Sequence, residues 1–161
     1  MISFKRIFMK ISYVKAKLSD IEKMRELVRP EVESGVILER SEDEIATNIR
    51  SYTLAFLSNQ LVGFTALHIH TRYLGEIRSL IVKEGFRGEK IGETLVKYAL
   101  DEGSSLGLQK VLSLTYKQAF FERLGFVEIA KESLPEHKIW ADCIKCKHFP
   151  ICNEVSLIKN L

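Results

Sequence analysis

No run in this chain approaches the roughly 20 consecutive apolar residues that a membrane-spanning helix requires. Every apolar-leaning stretch of its 161 residues is broken by a charge within a few positions. The opening Met1-Ile2-Ser3-Phe4-Lys5-Arg6 lacks the long apolar core and small-residue cleavage site of a secretory signal. There is little excess of either charge. The 24 basic and 21 acidic residues leave a net +3 with the signs interspersed, which gives no case for a clustered basic face that would bind nucleic acid. Cysteine is scarce: Cys143, Cys146 and Cys152 are the whole set, and an odd, clustered trio is not a disulfide framework. No repeat, low-complexity tract or Gly/Ser/Pro linker divides the chain. One domain over 1–161 is therefore expected, with 1–8 as an optional leader and 134–161 as a cysteine-containing extension. These absences point to a cytoplasmic protein without membrane or nucleic-acid partners, and they leave a homo-oligomer open.

What the chain does hold is 46% hydrophobic residues, enough for one sizeable core. They come in short periodic pieces. A strand is expected at 11–16. Ser19-Asp20-Ile21-Glu22 then reads as a capping box opening a helix, with Ile21, Met24, Leu27 and Val28 as its apolar stripe and Pro30 as its end. A second box, Ser41-Glu42-Asp43-Glu44, opens another helix with Ile45 and Ile49 facing inward. Strands follow at 52–57, 61–70 and 75–82, the first two joined by Ser58-Asn59-Gln60. The longest helical pattern carries Ile91, Leu95, Val96, Ala99 and Leu100 on one face and ends near Gly107. A strand at 110–115, a short helix at 118–124 and a strand at 126–129 complete the reading. Helices separated by a run of hairpin-linked strands imply an α/β (α+β) fold with a mixed sheet.

The most informative stretch is residues 79–92, where a buried strand runs into a loop with Gly85, Gly88 and Gly92 and then into the long helix. Unobstructed backbone amides at a helix N-terminus form a ready anion site for a pyrophosphate. Arg87 and Lys90 add charge there. A plain strand–helix connection with a glycine turn is the simpler alternative from this loop alone. Its wider context, Gly75 to Gly92, resembles the acetyl-CoA-binding motif of the GNAT acetyltransferase superfamily, Arg/Gln-x-x-Gly-x-Gly/Ala. Arg87 and Gly92 match its two ends, while Lys90 stands where the family has glycine. A helical Lys90, whose amide still donates, is expected.

Further segments occur in order: Leu38-Glu39-Arg40-Ser41, Glu76-Ile77-Arg78-Ser79-Leu80, Leu114-Thr115-Tyr116, the run Phe120-Phe121-Glu122-Arg123-Leu124-Gly125-Phe126 and the tail Leu134 to Cys143 with Pro135, Lys138, Trp140 and Asp142. Together they resemble the short bacterial N-acetylglutamate synthases, stand-alone GNAT proteins without an amino-acid-kinase domain. The resemblance runs from about Ile11 to Val155. It implies a mixed, mostly antiparallel central sheet with helices on both faces. It also implies acetyl-CoA as co-substrate and transfer of its acetyl group to the α-amino group of L-glutamate, the first step of arginine biosynthesis. Another amino acid or a protein N-terminus as acceptor, and a non-catalytic acyl-CoA-binding module, are the alternatives.

By the same resemblance Glu76 is the strand glutamate that acts as general base; an ordinary ion-pair partner for Arg78 is the competing reading. Leu80, Ile81 and Val82 would hydrogen-bond pantetheine as if it were another strand, and Arg87, Gly88, Glu89, Lys90, Ile91 and Gly92 would cradle the pyrophosphate. The late-helix tyrosine that protonates the departing thiolate is replaced by Phe121; Tyr116 is the candidate substitute acid, with half-buried packing of Tyr116 and departure of the thiolate without a dedicated acid as the alternatives. A glutamate acceptor carries two carboxylates, for which bidentate arginine is best suited. Arg40, on a loop before a helix, and Arg78, on the same strand face as Glu76, are the candidate ligands; Arg29 reads as a helix-end charge. The tail holds Cys143, Cys146, Cys152 and His148, with His137 nearby. These are the donor types of a Cys₃His zinc site, but with a single CxxC pair. Reduced structural thiols are the simpler account, and no metal is expected.

Overall fold

The computed structural model describes residues 10–88, 90–134 and 154–161. Seven strands form one sheet: β1 (Ile11–Lys15), β2 (Tyr52–Leu57), β3 (Gln60–Ile69), β4 (Leu74–Val82), β5 (Lys110–Thr115), β6 (Val127–Ile129) and β7 (Val155–Asn160). Their order across the sheet is β1-β2-β3-β4-β5-β7-β6. All neighbours are antiparallel except β4 and β5. Helices α1 (Ile21–Glu33) and α2 (Glu42–Thr47) lie between β1 and β2 in sequence, and α4 (Gln118–Arg123) precedes β6. The parallel pair requires a long crossover, which α3 (Ile91–Leu106) supplies.

Alternation along the strands sends side chains to both faces of the sheet. Tyr52 and Leu54 pack with Ile21, Met24 and Ile45 beneath α1 and α2. Ala55 and Val62 pack with Ile91 and Leu95 of α3. The α3 side continues as Leu67, Ile77, Val96, Leu100, Val111, Phe121 and Leu157. The expected architecture, a mixed and mostly antiparallel sheet with helices on both faces, is what these residues build.

Local departures from the sequence reading have local causes. Pro30 does not end α1, which continues to Glu33. A proline's own φ is helical, so only the bond from its missing amide is lost, and its carbonyl still accepts from the amide of Ser34 at 3.1 Å. Ser19 does not cap α1 either. It lies in a 3₁₀ turn, Leu18–Asp20, in which the Asp20 carboxylate takes the Lys17 amide at 2.8 Å. The Ser41 box forms as expected: Ser41 Oγ accepts from Glu44 N at 3.1 Å and Glu44 Oε1 from Ser41 N at 3.5 Å. Ile49 falls just beyond that helix, in the 3₁₀ turn Ile49–Ser51. Strand β7 is absent from the sequence reading altogether, and it inserts between β5 and β6.

Candidate active site

The site originates in a fault in the sheet. Phe64 pairs with Ile81 and Ala66 with Arg78, so Ser79 and Leu80 together oppose Thr65. That is a β-bulge, which bends and twists its strand. Ser79 takes φ 53, unusual for a residue with a side chain, and Thr65 Oγ1 donates to the Arg78 carbonyl at 3.0 Å beside it. The neighbouring backbone is tight, since a Cβ on Gly63 would meet the Ile81 carbonyl oxygen at 2.8 Å. Beyond this point β4 leaves its parallel neighbour: the β4–β5 ladder covers only Leu74–Ile77 against Lys110–Ser113. The strands splay, and a cavity of about 430 Å³ opens between them.

That cavity gathers residues far apart in sequence. Glu76, Arg78, Leu80, Ile81, Val82, Arg87, Arg40 and Tyr116 all line it. Glu76 is 2% exposed, and a carboxylate at that depth requires partners. Its Oε1 accepts from His70 Nε2 at 2.7 Å and from Arg78 Nε at 3.3 Å. The ion pair with Arg78 weighed from the sequence is therefore present, and it lies inside the cavity. His70 was not singled out from the sequence. Its only signal there was its place two residues after His68, at the end of a strand.

Arg40 occupies the loop before α2, and its guanidinium Nη1 lies 3.8 Å from Glu44 Oε2. Glu44 thus caps the helix and steadies the arginine together. Arg40 and Ser79 also line an adjoining cavity of about 470 Å³ with Arg29, Tyr52 and Phe64. Arg29 is therefore placed at a second pocket rather than only at a helix end. Burial raises the Tyr52 phenol above its ordinary value, against a lowering by the charges of Arg40 and then Arg78 and a small further rise from Glu44. Tyr52, which the sequence marked only as the start of a strand, is another lining residue of that second cavity.

The glycine loop closes one end. Lys90 is not helical: it takes φ 62, ψ 14 as the N-cap of α3. The loop needs a left-handed residue to turn into the helix, and the side chain does not prevent it, at a cost of roughly 1–2 kcal/mol. Gly88 has φ 84. The ladder of α3 begins with Lys90 O accepting from Thr94 N at 3.0 Å, so the amides of Ile91, Gly92 and Glu93 lie ahead of it. Among the described residues of this loop only Arg87 lines the 430 Å³ cavity. The Ile91 side chain is 1% exposed in the core and offers the site only its backbone. Arg87 is tethered, Nε donating to the Val82 carbonyl at 3.1 Å and Nη2 to Glu31 Oε1 of α1 at 2.8 Å. The open edge of β4, these leading amides and the cation of Arg87 suit an extended amide-bearing ligand that ends in a diphosphate. Glu89 lies outside the described residues.

Phe121 is 3% exposed, in edge-on contact with Phe120 and Phe126. It meets the cavity as an apolar wall with no proton to give. Tyr116 is 41% exposed, at the end of β5. The zinc candidates Cys143, Cys146, Cys152, His148 and His137 all lie outside the described residues. Among the described residues no group of His, Cys, Asp or Glu is arranged to hold a metal ion, and no helix is long and apolar enough to cross a membrane.

The sequence profile of the Acetyltransferase (GNAT) family matches residues 21–126. An uncharacterised N-acetyltransferase of Chlorobaculum tepidum is 37% identical over 146 residues, covering 91% of this chain and 94% of that protein. An amino-acid acetyltransferase of an Enterobacter species is 28% identical over 126 residues, covering 77% of this chain but only 28% of its own length. Among solved structures, N-acetylglutamate synthase of Neisseria gonorrhoeae, complexed with coenzyme A and N-acetyl-glutamate, superposes with a TM-score of 0.84. It is 24% identical and spans 94% of this chain and 35% of that one, a likeness of fold.

Proposed function

The chain belongs to the GNAT acetyltransferase family, and we propose that it transfers the acetyl group of acetyl-CoA to the α-amino group of L-glutamate. One observation carries this reading: a buried carboxylate, Glu76, and two arginines, Arg40 and Arg78, converge on a single cavity beside the splayed end of β4. The similarity to an amino-acid acetyltransferase and to an N-acetylglutamate synthase supports the choice of acceptor.

In the proposed chemistry, acetyl-CoA supplies an acetyl group activated as a thioester. Backbone groups of Leu80, Ile81 and Val82 hold its pantetheine arm, and Arg87 with the backbone from Gly88 to Gly92 holds its pyrophosphate. An α-ammonium must lose a proton before it can attack, and Glu76, directly or through a water, accepts it. The freed nitrogen lone pair adds to the acetyl carbonyl carbon, the nitrogen releases its second proton to water as the C–S bond breaks, and the thiolate leaves with its electron pair. Tyr116 is the candidate donor of the proton that the thiolate takes up. Arg40 and Arg78 grip the acceptor carboxylates.

The test compares glutamate, aspartate and glutamine by coenzyme A release. A site built to pair a carboxylate leaves its arginine uncompensated when that carboxylate is absent, so glutamate should outrun glutamine by about 10²-fold or more. Arg40→Ala and Arg78→Ala should each weaken glutamate use by about 2–5 kcal/mol with little change in acetyl-CoA binding. Equal rates for glutamate and glutamine on the unaltered protein would overturn the acceptor.

A further inference from the structure

We propose that His70 is a positioning residue that orients Glu76 for proton transfer, through the Nε2–H bond it donates to the carboxylate. The proposal rests on the assignment of Glu76 as the proton acceptor and adds a residue which that assignment does not require.

His70 is poorly placed to touch a substrate and well placed to hold Glu76. Its side chain is 1% exposed and that of Glu76 3%, and Glu76 but not His70 lines the cavity. The backbone that carries the ring is held by the turn. His70 N and Thr71 N both donate to the Leu74 carbonyl, at 2.9 and 3.1 Å. Thr71 Oγ1 accepts from the amides of Tyr73 and Leu74 at 3.1 and 3.0 Å, closing the turn between β3 and β4. On the strand side the imidazole packs edge-on against His68, with ring centroids 4.7 Å apart at 77°.

The contact has a chemical consequence. A carboxylate accepts at either of its two oxygens, so the direction in which one points is set by the donors that hold the other. Here His70 sits at 2.7 Å on the same oxygen that Arg78 reaches with Nε at 3.3 Å. Two donors on one oxygen fix the rotation of the carboxylate and therefore the direction of its other oxygen. A base must stand within hydrogen-bond reach of the proton it takes, so fixing that direction acts on the catalytic step and not on donor binding.

The experiment measures kcat with glutamate and KM for acetyl-CoA in His70→Gln and His70→Asn, each alone and combined with Glu76→Gln. Glutamine places an amide N–H near the position of Nε2, whereas asparagine is similarly polar but too short to reach Glu76. Thermal melts of all variants register folding. His70→Asn should lower kcat by about 10- to 100-fold, the usual scale for a residue that orients a catalytic group, with KM for acetyl-CoA unchanged. His70→Gln should recover most of that loss. In the Glu76→Gln background His70→Asn should cost nothing further, because a residue acting only through Glu76 has nothing left to act on. Equal kcat in His70→Asn and His70→Gln, or an undiminished penalty in the Glu76→Gln background, would overturn the role of His70 alone. Unimpaired turnover by Glu76→Gln itself would overturn the underlying base assignment.

Discussion

Glu76, Arg78, Arg40 and Tyr52 show how individual groups acquire properties that their residue types do not have in water. A lone carboxylate taken out of solvent would carry a large desolvation cost; the His70 and Arg78 donors offset it. Arg40 and Arg78 in turn act on a neighbour, since their charges oppose the rise that burial imposes on the Tyr52 phenol. Burial is the larger effect, and the consequence for stability has a definite sign. With the folded-state value raised above the ordinary 10.0, the native state keeps the phenolic proton to higher pH than the unfolded chain does. Tyr52 therefore contributes stability that is fully present below the unfolded phenol's pKa and is lost as pH rises from there through the folded value. In Tyr52→Phe the fall of Tm on the alkaline side should be shallower than in the unaltered protein. Tyr13, raised likewise chiefly by burial, leaves some slope in both. Identical slopes for the two proteins would show that Tyr52 is ionised as readily folded as unfolded.

The loop and first turn of α3 set fold against ligand at two positions, Lys90 and Gly92. Lys90 holds a left-handed conformation without being glycine. Lys90→Gly should therefore stabilise the protein by about 1 kcal/mol in urea denaturation. Gly92 is the reverse case. A Cβ there would meet Val82 Cγ2 at 3.5 Å and Phe120 Cζ at 3.6 Å, ordinary contacts that the fold accepts. Alanine in a helix is favoured over glycine by roughly 1 kcal/mol, so Gly92→Ala should leave stability equal or higher. If phosphate oxygens approach the α3 amides as proposed, its KM for acetyl-CoA should nevertheless rise, and that of Gly92→Val should rise further. A rise in stability with KM unmoved for both variants would place the pyrophosphate elsewhere. Element α1 belongs to the same arrangement. Its Glu31 side chain holds Arg87, while its carbonyl accepts from Val36 N at 2.9 Å and Ile37 N at 3.1 Å. One residue thus ties the glycine loop to the loop that carries Arg40.

Over the whole molecule, the cavity exists because the sheet is continuous on one side of β4 and divided on the other. The bulge at Ser79 turns β4 away from β5, and β7, inserted between β5 and β6, completes the far half of the sheet. Leu157 of β7 is fully buried in the cluster with Val111, Phe121 and Phe126. Leu157→Ala should cost about 2–5 kcal/mol in equilibrium denaturation; a loss no larger than that of a surface substitution would mean that β7 is not integral to the domain. The amino-acid sequence by itself determined what depends on neighbours along the chain. The 3.6-residue stripe of α3, the Ser41 box, the strands at 52–57 and 110–115 and the glycine-spaced loop were legible because period and capping are local. The candidate residues Glu76, Arg78, Arg40 and Arg87 were legible through motif resemblance, though only as separate names. Pairing across long separations decided the rest. The place of β7 depends on which strands lie beside it, which no segment states for itself. The bulge is a mismatch of register between two strands, each of which reads as regular alone. The bond between His70 and Glu76 exists only because the β3–β4 turn brings a strand end back over a strand middle, and that folding-back is what makes a buried carboxylate part of a site.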